Sequence, residues 1–558
     1  MSTPPLIIRD FDKAVADSPH KGHALMRNVN IDEFPGAMKA SKITESVFQT
    51  AISKEFTADA GTDIITMSAT VPLTGTAVTL TTTNTLPAGL STSTIYFIIK
   101  ESSTTAKLAT TRANAEGDTQ IDITDAGTGT HTITSVNPGT IEDIAFDSRN
   151  SNRFMQDSNG RVWVEESGGT AWLITGNTLT SSDGNGIVLF RTSDGTATYL
   201  FAFRNAAVDV VDVFGDSDIQ TPSWTNGWQT LNSGAGSRNS HKAIVGQDNI
   251  IYFCDGRFVG SIREKDGQVF DPASGATYTY NNQALDLVQG EVSFWLEELG
   301  VNLLVSGLSY NKIYPWDRVS DSFSLPINVP ERIISRMKNI GEIVYIQAGR
   351  QGNIYMTQGS FVRHFKKLPE YVINNTNSIT SNPITWGGIG SNQDALVVGI
   401  GATSNSAASG VYLIYPDGRI TQDNTPSTGA TRPVSILADS NDFYRLGYAS
   451  GADRVDTSRY ANYECVYQSE FFEIATNTER GTYSELELVL AKPSNSGNIR
   501  VSYRKDTSSA FITLDTFVSD SSMVVFNNDG IGLIDLENIQ LQLEYHGNVE
   551  IKELRLLP

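Results

Sequence analysis

The residues that could do chemistry in this sequence are mainly carboxylates. Glycoside hydrolysis needs two carboxyl groups about 5–10 Å apart, and Glu165 with Glu166 and Glu297 with Glu298 are candidates by residue type. The chain holds 62 acidic residues, however, so these glutamates do not stand out. We expect each of them to be a solvated surface residue.

Two turns partly match the S-x-D-x-G-x-x-W pattern found in glycosidases of the sialidase type. They run from Asp157 to Trp163, with the sequence DSNGRVW, and from Thr192 to Gly195, with the sequence TSDG. Each turn lacks part of the pattern, and neither would be catalytic. We expect both to be structural turns between strands.

Metal binding has one candidate, the pair His20-x-x-His23. A structural zinc site would need two more Cys or His ligands close by, and the sequence offers none there. The loop Asn527–Gly530 is typical of a turn, with calcium binding as the alternative. The motif G-x-S-x-G, the P-loop lysine motif and G-x-G-x-x-G before a helix are absent. We predict no catalytic, cofactor-binding or metal-binding residues and no enzymatic activity.

Two further features could contact a partner. Trp224 and Trp228 could form a stacking patch for sugars, but packing in a core or at a blade rim is the simpler interpretation. The segment Arg363–Lys367 interleaves cations with an aromatic residue. It is either a salt-bridged rim or a contact for DNA or an acidic partner.

The elements that must position these residues are β-hairpins of a recurring kind. Val301–Asp317 and Glu342–Gly359 each contain an apolar run, a turn with Gly, Ser or Asn, and a second run with an Ile-Tyr pair. Neither hairpin can bury both faces alone, so each needs a similar neighbour. Related segments follow at intervals of roughly 38 to 53 residues, close to the length of a propeller blade, with apolar anchors at Val162, Leu200, Ile251, Leu303, Val344, Val397 and Phe443. The prediction is an all-β chain with a degenerate β-propeller of about six or seven blades.

Composition divides the chain into four segments. Residues 1–55 form an N-terminal arm with a first propeller strand, and the arm must pack on the main domain or on a neighbouring subunit. Residues 56–138 form a small Thr-rich β-domain, inserted near the start of the first blade, with Thr94–Glu101 as its central buried strand. Residues 139–460 form the propeller, with Asp-Gly and Asn-Gly hairpin turns and a helical turn at Glu331–Lys338.

Residues 461–558 alternate between apolar and polar side chains and predict an antiparallel β-sandwich. In its clearest strand Ile539, Leu541, Leu543 and Tyr545 face inwards, while Gln540, Gln542 and Glu544 face outwards. A bulge is expected at Lys552-Glu553.

The formal charge of the 558-residue chain is −21, from 41 Lys and Arg against 62 Asp and Glu. A nucleic-acid reader would normally carry a basic patch, and no large one is visible. There is no apolar run long enough to span a membrane and no secretory signal. The two cysteines, Cys254 and Cys465, are expected to be buried free thiols.

Three segments are similar to propeller-type structural proteins of tailed bacteriophage virions. They are the arm NVNIDEFPGAMK, Asn28–Lys39; the stretch Val71–Lys100, which resembles a module of phage tail proteins; and the opening of the sandwich, Tyr467–Pro493. The nearest functional match is the tail nozzle, or tail tubular protein, of short-tailed phages.

That resemblance implies a homohexameric ring that continues the DNA ejection channel below the portal and adaptor. The implied partners are the portal, adaptor and tail fibre proteins, with DNA passing through without specific binding. The implied location is the tail of the virion, after synthesis in the host cytoplasm. A tail or baseplate protein that binds host-surface glycan is the alternative, and a glycan-cleaving tail enzyme is the third.

Overall fold

The computed structural model describes most of the chain. The described residues are 6–8, 25–27, 29–30, 38–179, 185–232, 240–368, 384–392, 395–402, 408–429, 431–438, 444–460, 465–469, 472–473, 481–483, 485–492, 498–506, 509–518, 523–527, 533–536, 538–545 and 549–557. Contacts divide the chain into two compact units. One is Ser46–Ile334 with Gly447–Ala452; the other is Met1–Glu45 with Ser335–Leu446 and Asp453–Pro558.

The N-terminal residues supply short strands that pair with partners far along the chain. These are β1 (Leu6–Ile8), β2 (Leu25–Arg27), β3 (Val29–Asn30), β4 (Met38–Ala40) and β5 (Lys42–Ser46).

The next six strands close into a small barrel, in which alternate side chains fill the interior. They are β6 (Ser53–Asp59), β7 (Ile64–Met67), β8 (Ala77–Thr82), β9 (Tyr96–Lys100), β10 (Thr105–Ala109) and β11 (His131–Ser135), with helix α1 (Arg112–Glu116) between the last two. Their order around the barrel is β10-β7-β6-β11-β8-β9. Tyr96 to Ile99 are all buried, so the buried strand predicted at Thr94–Glu101 is present as β9, although no strand of a closed barrel is central.

Four antiparallel four-stranded sheets follow in the same unit. Their strands are β12 (Ile141–Asp147), β13 (Asn152–Asp157), β14 (Val162–Glu165) and β15 (Ala171–Ile174); β16 (Asn185–Arg191), β17 (Thr198–Arg204), β18 (Ala207–Asp212) and β19 (Trp224–Thr230), with helix α2 (Asp216–Gln220) before β19; β20 (Ala243–Val245), β21 (Ile251–Asp255), β22 (Phe258–Glu264) and β23 (Tyr278–Asp286); and β24 (Ser293–Leu299), β25 (Asn302–Gly307), β26 (Lys312–Trp316) and β27 (Ile327–Asn328).

Three more groups of four strands are built on the same plan. They are β28 (Ile334–Ile340), β29 (Ile343–Ala348), β30 (Asn353–Thr357) and β31 (Val362–Lys367); β32 (Ile384–Asn392), β33 (Ala395–Ala402), β34 (Gly410–Ile414) and β35 (Ile420–Asn424); and β36 (Ser435–Ala438), β37 (Tyr444–Tyr448) and β38 (Gly451–Tyr460), completed by β5. The repeated four-stranded meander is the blade of a β-propeller. The all-β propeller fold is confirmed, with seven such groups among the described residues.

The C-terminal strands form a sandwich whose two sheets share one hydrophobic core. They are β39 (Cys465–Gln468), β40 (Phe472–Glu473), β41 (Gly481–Tyr483), β42 (Glu485–Lys492), β43 (Asn498–Arg504), β44 (Ile512–Val518), β45 (Met523–Asn527), β46 (Leu533–Leu536), β47 (Asn538–Tyr545) and β48 (Glu550–Leu557). One sheet runs β3-β4-β48-β42-β45, with β1 also on β48. In the other, β2 joins β35 to β39, followed by β47, β43 and β44.

Several local predictions are confirmed. Gly160, Gly195, Gly256, Gly267 and Gly418 all have positive φ, as hairpin turns after Asn or Asp require; the Asp183-Gly184 step lies outside the described residues. Register between β42 and β48 skips Lys552, which places a bulge there. Cys254 and Cys465 are buried, and neither is part of a disulfide within the described residues.

Three expectations need correction. The segment Glu331–Lys338 is not helical, because Ile334–Ile340 is the first strand of a sheet. Gln540 and Gln542 are buried, since β47 lies between β39 and β43 and long polar side chains cover its second face. Gln540 donates to Ser469 O at 2.7 Å.

The third correction concerns position along the repeat. Val162 lies on the third strand of its sheet, whereas Leu200, Ile251, Leu303, Val344 and Val397 lie on second strands; Phe443 is outside the described residues. The barrel lies between β5, which belongs to the seventh group, and β12, which begins the first, so it immediately precedes the first strand of that sheet.

Candidate functional site

The turn at Asp157 has a structural role. The Asp157 carboxylate is fully buried; Oδ1 accepts from Asn159 N at 2.8 Å and Arg161 N at 3.0 Å, and Oδ2 accepts from Gly139 N and Trp163 Nε1, both at 3.0 Å. A buried carboxylate that is held by four N–H donors stabilises the turn and cannot reach a substrate. The pattern DSNGRVW therefore explains how the turn between β13 and β14 is fixed.

The second turn, at Asp194, is also held by hydrogen bonds to an aspartate side chain, but this aspartate is exposed. Its carboxylate accepts from Thr196 N at 3.0 Å and from Thr192 Oγ1 at 2.8 Å. These hydrogen bonds lower the pKa of Asp194, and the one from Thr196 N has the largest effect. The group stays ionised and closes the hairpin between β16 and β17.

The paired glutamates are not the solvated residues that we expected. Glu165 is 1% exposed, and Glu166 accepts two hydrogen bonds from Arg112 at 2.7 and 2.8 Å. Glu298 forms an ion pair with Arg318 at 2.7 Å, and Glu297 is half-buried on the same strand. These carboxylates hold structure together, because a partly buried charge needs a partner.

Metal ligands are not assembled in the part of the chain that the structure describes. No group of three or more His, Cys, Asp or Glu side chains there could hold an ion. The pair His20 and His23 lies outside the described residues, as does most of the Asn527–Gly530 loop, so those two predictions stay open. Among the described helices, none is long and apolar enough to cross a membrane.

Trp224 and Trp228 lie on strand β19, and both are half-buried. Trp224 donates from Nε1 to Thr175 O at 3.1 Å, and Trp228 donates to Pro272 O at 3.1 Å. The Trp228 ring lies 4.9 Å from that of Tyr278 and 5.7 Å from that of Phe270. A sugar platform needs an open ring face, so packing explains these residues better.

A charged network that sequence reasoning missed joins the sheets of the first unit. Lys242, before β20, pairs with Asp143 of β12 at 3.0 Å, and its ammonium lies 4.9 Å from the centre of the Trp295 ring in β24. Beside it, the His241 ring reaches Asn205 O at 2.7 Å and Cys254 O at 2.9 Å. Burial lowers the pKa of His241.

That network links residues of the first, second, third and fourth sheets of this unit. Its members are far apart in the sequence and follow no motif, so no signal in the sequence could have found it. Because Lys242 and Asp143 neutralise each other and are partly buried, and both nitrogens of the His241 ring contact backbone oxygens, the network stabilises the sheet packing.

The cationic segment Arg363–Lys367 is the most exposed charged feature among the predicted sites. It forms β31, the last strand of its sheet, and Arg363, His364 and Lys367 are exposed. Phe365 points inwards and packs edge-on against Tyr345 at 5.1 Å. Within the described residues neither Arg363 nor Lys367 forms an ion pair.

Two β-propeller domains are among the solved structures that are similar to this chain. The chain is similar to the β-propeller domain of Myceliophteria thermophila Cps50 (Swd1), with 9% identity and a TM-score of 0.39, over 58% of this chain and 98% of that one. It is also similar to the WD40 β-propeller domain of Doa1, with 11% identity and a TM-score of 0.38, over 58% of this chain and 96% of that one. No protein-family model matches the chain. No curated protein matches it either.

Proposed function

We propose that this protein is a structural, non-enzymatic subunit of a bacteriophage tail. In this proposal it forms a homohexameric ring of the nozzle type, which continues the DNA ejection channel below the portal and adaptor. The observation that carries the proposal is the formal charge of −21 on a chain built of propeller and sandwich sheets. The sequence resemblance to phage virion proteins gives it its biological setting.

The net negative charge of the chain suits a channel through which DNA passes. DNA carries one negative charge per about 1.7 Å of helix axis, and affinity for it depends on cations that neutralise phosphates. A wall with an excess of carboxylates repels the duplex, so the duplex passes without being held. With 62 acidic and 41 basic residues, this chain is suited to let DNA pass.

The buried acids support a structural role. Glu291 is 2% exposed and accepts from Ser309 N at 2.7 Å and Tyr314 Oη at 2.9 Å. Asp209 is fully buried and accepts from Gly227 N at 2.7 Å and Thr178 N at 2.8 Å. Like Asp157, these carboxylates fix loops onto sheets, which is what a rigid assembly component needs.

The first test is the assembly state and the location of the protein. Light scattering of the purified protein should give about six times the 60.6 kDa chain mass, and negative-stain images should show closed rings, since a cyclic heterologous contact closes on itself. Antibody labelling of intact particles should mark the tail. A stable monomer with no place in a particle would contradict the proposal.

The second test concerns DNA. Fluorescence anisotropy with a labelled duplex should show no binding at 150 mM salt, because the surface is acidic. Binding of DNA through cationic side chains is strong at low salt and weakens as salt rises. A tight, salt-sensitive complex with the duplex would therefore argue against a passive channel.

A further inference from the structure

Strand β31, Val362–Lys367, differs from the outer strands of the other blades. Its sequence, VRHFKK, holds one Arg, two Lys and one His and no acid. None of the other fourth strands carries more than one Lys or Arg; they are AWLI, WTNGWQT, YTYNNQALD, IN, ITQDN and KITES. A local concentration of positive charge on a chain of −21 is a specific surface feature.

The cations lie beside an exposed aromatic side chain. Phe361 is 62% exposed, and the Arg363 guanidinium lies 6.0 Å from the centre of its ring. Aromatic residues and arginine are enriched in the core of protein interfaces. Phe361 and Arg363 therefore have the composition of a contact surface, and Lys367 adds a second exposed positive charge beside them.

The outer edge of strand β31 favours contacts through its side chains over pairing with an additional strand. Register between β30 and β31 shifts at Phe365, because Tyr355 faces His364 while Ile354 faces Lys366. A bulge of this kind twists a sheet edge, and lysines on the edge discourage pairing with another strand. A partner would therefore meet β31 through opposite charge.

We propose that the surface formed by Phe361, Arg363 and Lys367 binds an acidic surface of a second copy of this chain. The inference rests on the proposed ring, in which each subunit presents one surface to the next. Every copy carries an excess of 21 negative charges, so the complement to β31 is available on the protein itself. Nucleic acid fits less well, since three or four cations on so acidic a chain cannot offset its repulsion of phosphates.

The test compares two variants with the same change in charge. R363E/K367E reverses both exposed cations of β31, and K54E/R263E reverses two other exposed cations. We expect R363E/K367E to raise the Kd between copies about 100-fold, because like charges then face each other, while K54E/R263E assembles as the wild type does. Thermal unfolding of both variants checks that the subunit still folds.

A second measurement identifies the partner surface. Carbodiimide cross-linking of a mixture of unlabelled and ¹⁵N-labelled protein should join Lys366 or Lys367 to Asp or Glu in peptide pairs of mixed isotope content. Cross-links within single chains only, or equal assembly of the wild type and R363E/K367E, would overturn the inference while leaving the ring itself intact. Duplex binding by the wild type that is lost in R363E/K367E would overturn it in favour of nucleic acid. A wild type that never assembles would instead contradict the proposed function.

Discussion

The inserted barrel and the C-terminal sandwich both enclose a hydrophobic core, but they recruit their strands from very different distances. All six barrel strands lie between Ser53 and Ser135. The sandwich instead pairs Leu6 with Leu556 and Met26 with Tyr467. One region is local in sequence, and the other can form only when the two ends of the chain meet.

The entry and exit of the barrel are adjacent. Ser53 pairs with Thr134, and Ser135 N donates to Ile52 O at 2.9 Å. An element whose ends meet can be inserted or removed with little loop-closure cost. The arm strand β2 is the opposite case, because it fills a position between β35 and β39. The two regions should therefore unfold in different ways.

Deletion of residues 1–40 is the largest test of this difference. It removes β2 from the interior of a sheet and β1, β3 and β4 from the sheet that contains β48. We expect a loss of more than about 5 kcal/mol, comparable with the whole stability of a typical domain, since edges of β35, β39 and β48 lose their partners. Limited proteolysis with mass spectrometry should then cleave within residues 465–557 under native conditions.

Excision of residues 53–135 with a short Gly-Ser linker is the matched control. The sandwich should keep its resistance to protease, and the isolated segment 50–137 should unfold cooperatively by circular dichroism. The reverse result, a tolerated arm deletion and a destructive excision, would mean that distance along the chain does not decide how these regions fold.

The sequence predicts the local region better than the distant one, for the same physical reason. Turn residues and alternating strands carry the hairpins of Val301–Asp317 and Glu342–Gly359, which form as expected. The burial of Gln540 depends on β39 and on Arg504, whose Nε donates to it at 2.6 Å. Likewise, the pair of Lys242 with Asp143 needs two sheets to meet. The alternation of apolar and polar residues predicts a strand and its buried face, but it does not predict which other strand lies beside it.

Arg112→Ala tests how firmly the barrel is fixed to the first sheet. The side chain is 5% exposed, holds Glu166 at 2.7 Å and lies 4.6 Å from the centre of the Trp172 ring. We expect a loss of about 2–3 kcal/mol, because Glu166 then stays partly buried without its cation. Hydrogen exchange should rise around 166–172 but not inside the barrel.

The double-mutant cycle with Glu166→Gln isolates the pair, and Arg112→Lys is the conservative control, which keeps the charge but loses the two-pronged geometry. A coupling near zero would mean that the packing of Trp172 alone holds the barrel in place.

His131→Phe tests the interior of the barrel. The buried ring has Thr82 Oγ1 at 2.9 Å from Nδ1 and Ala126 O at 3.2 Å from Nε2. Phenylalanine fills a similar volume but leaves both oxygens without this partner, so we expect a loss of about 1–2 kcal/mol. Chemical unfolding of the isolated segment 50–137 measures it. An unchanged midpoint would show that water replaces the ring nitrogens.

Tyr545→Phe is the corresponding change in the sandwich and has the smallest expected effect. The Tyr545 hydroxyl is buried and has no hydrogen-bond partner among the described residues, so its removal should change stability by less than about 0.5 kcal/mol near pH 7, or increase it. Burial, with a smaller contribution from Cys465, raises the pKa of Tyr545 well above its usual value. In the unfolded chain the phenol ionises near pH 10, so the neutral form stabilises the fold below that pH, and this contribution is lost as pH rises further. When the pH is raised from 10 to 11, the free energy of unfolding measured in urea should therefore fall less for the variant than for the wild type. The difference is at most about 1.4 kcal/mol per pH unit. If the free energies of both proteins changed with pH in parallel, the hydroxyl would have to reach solvent.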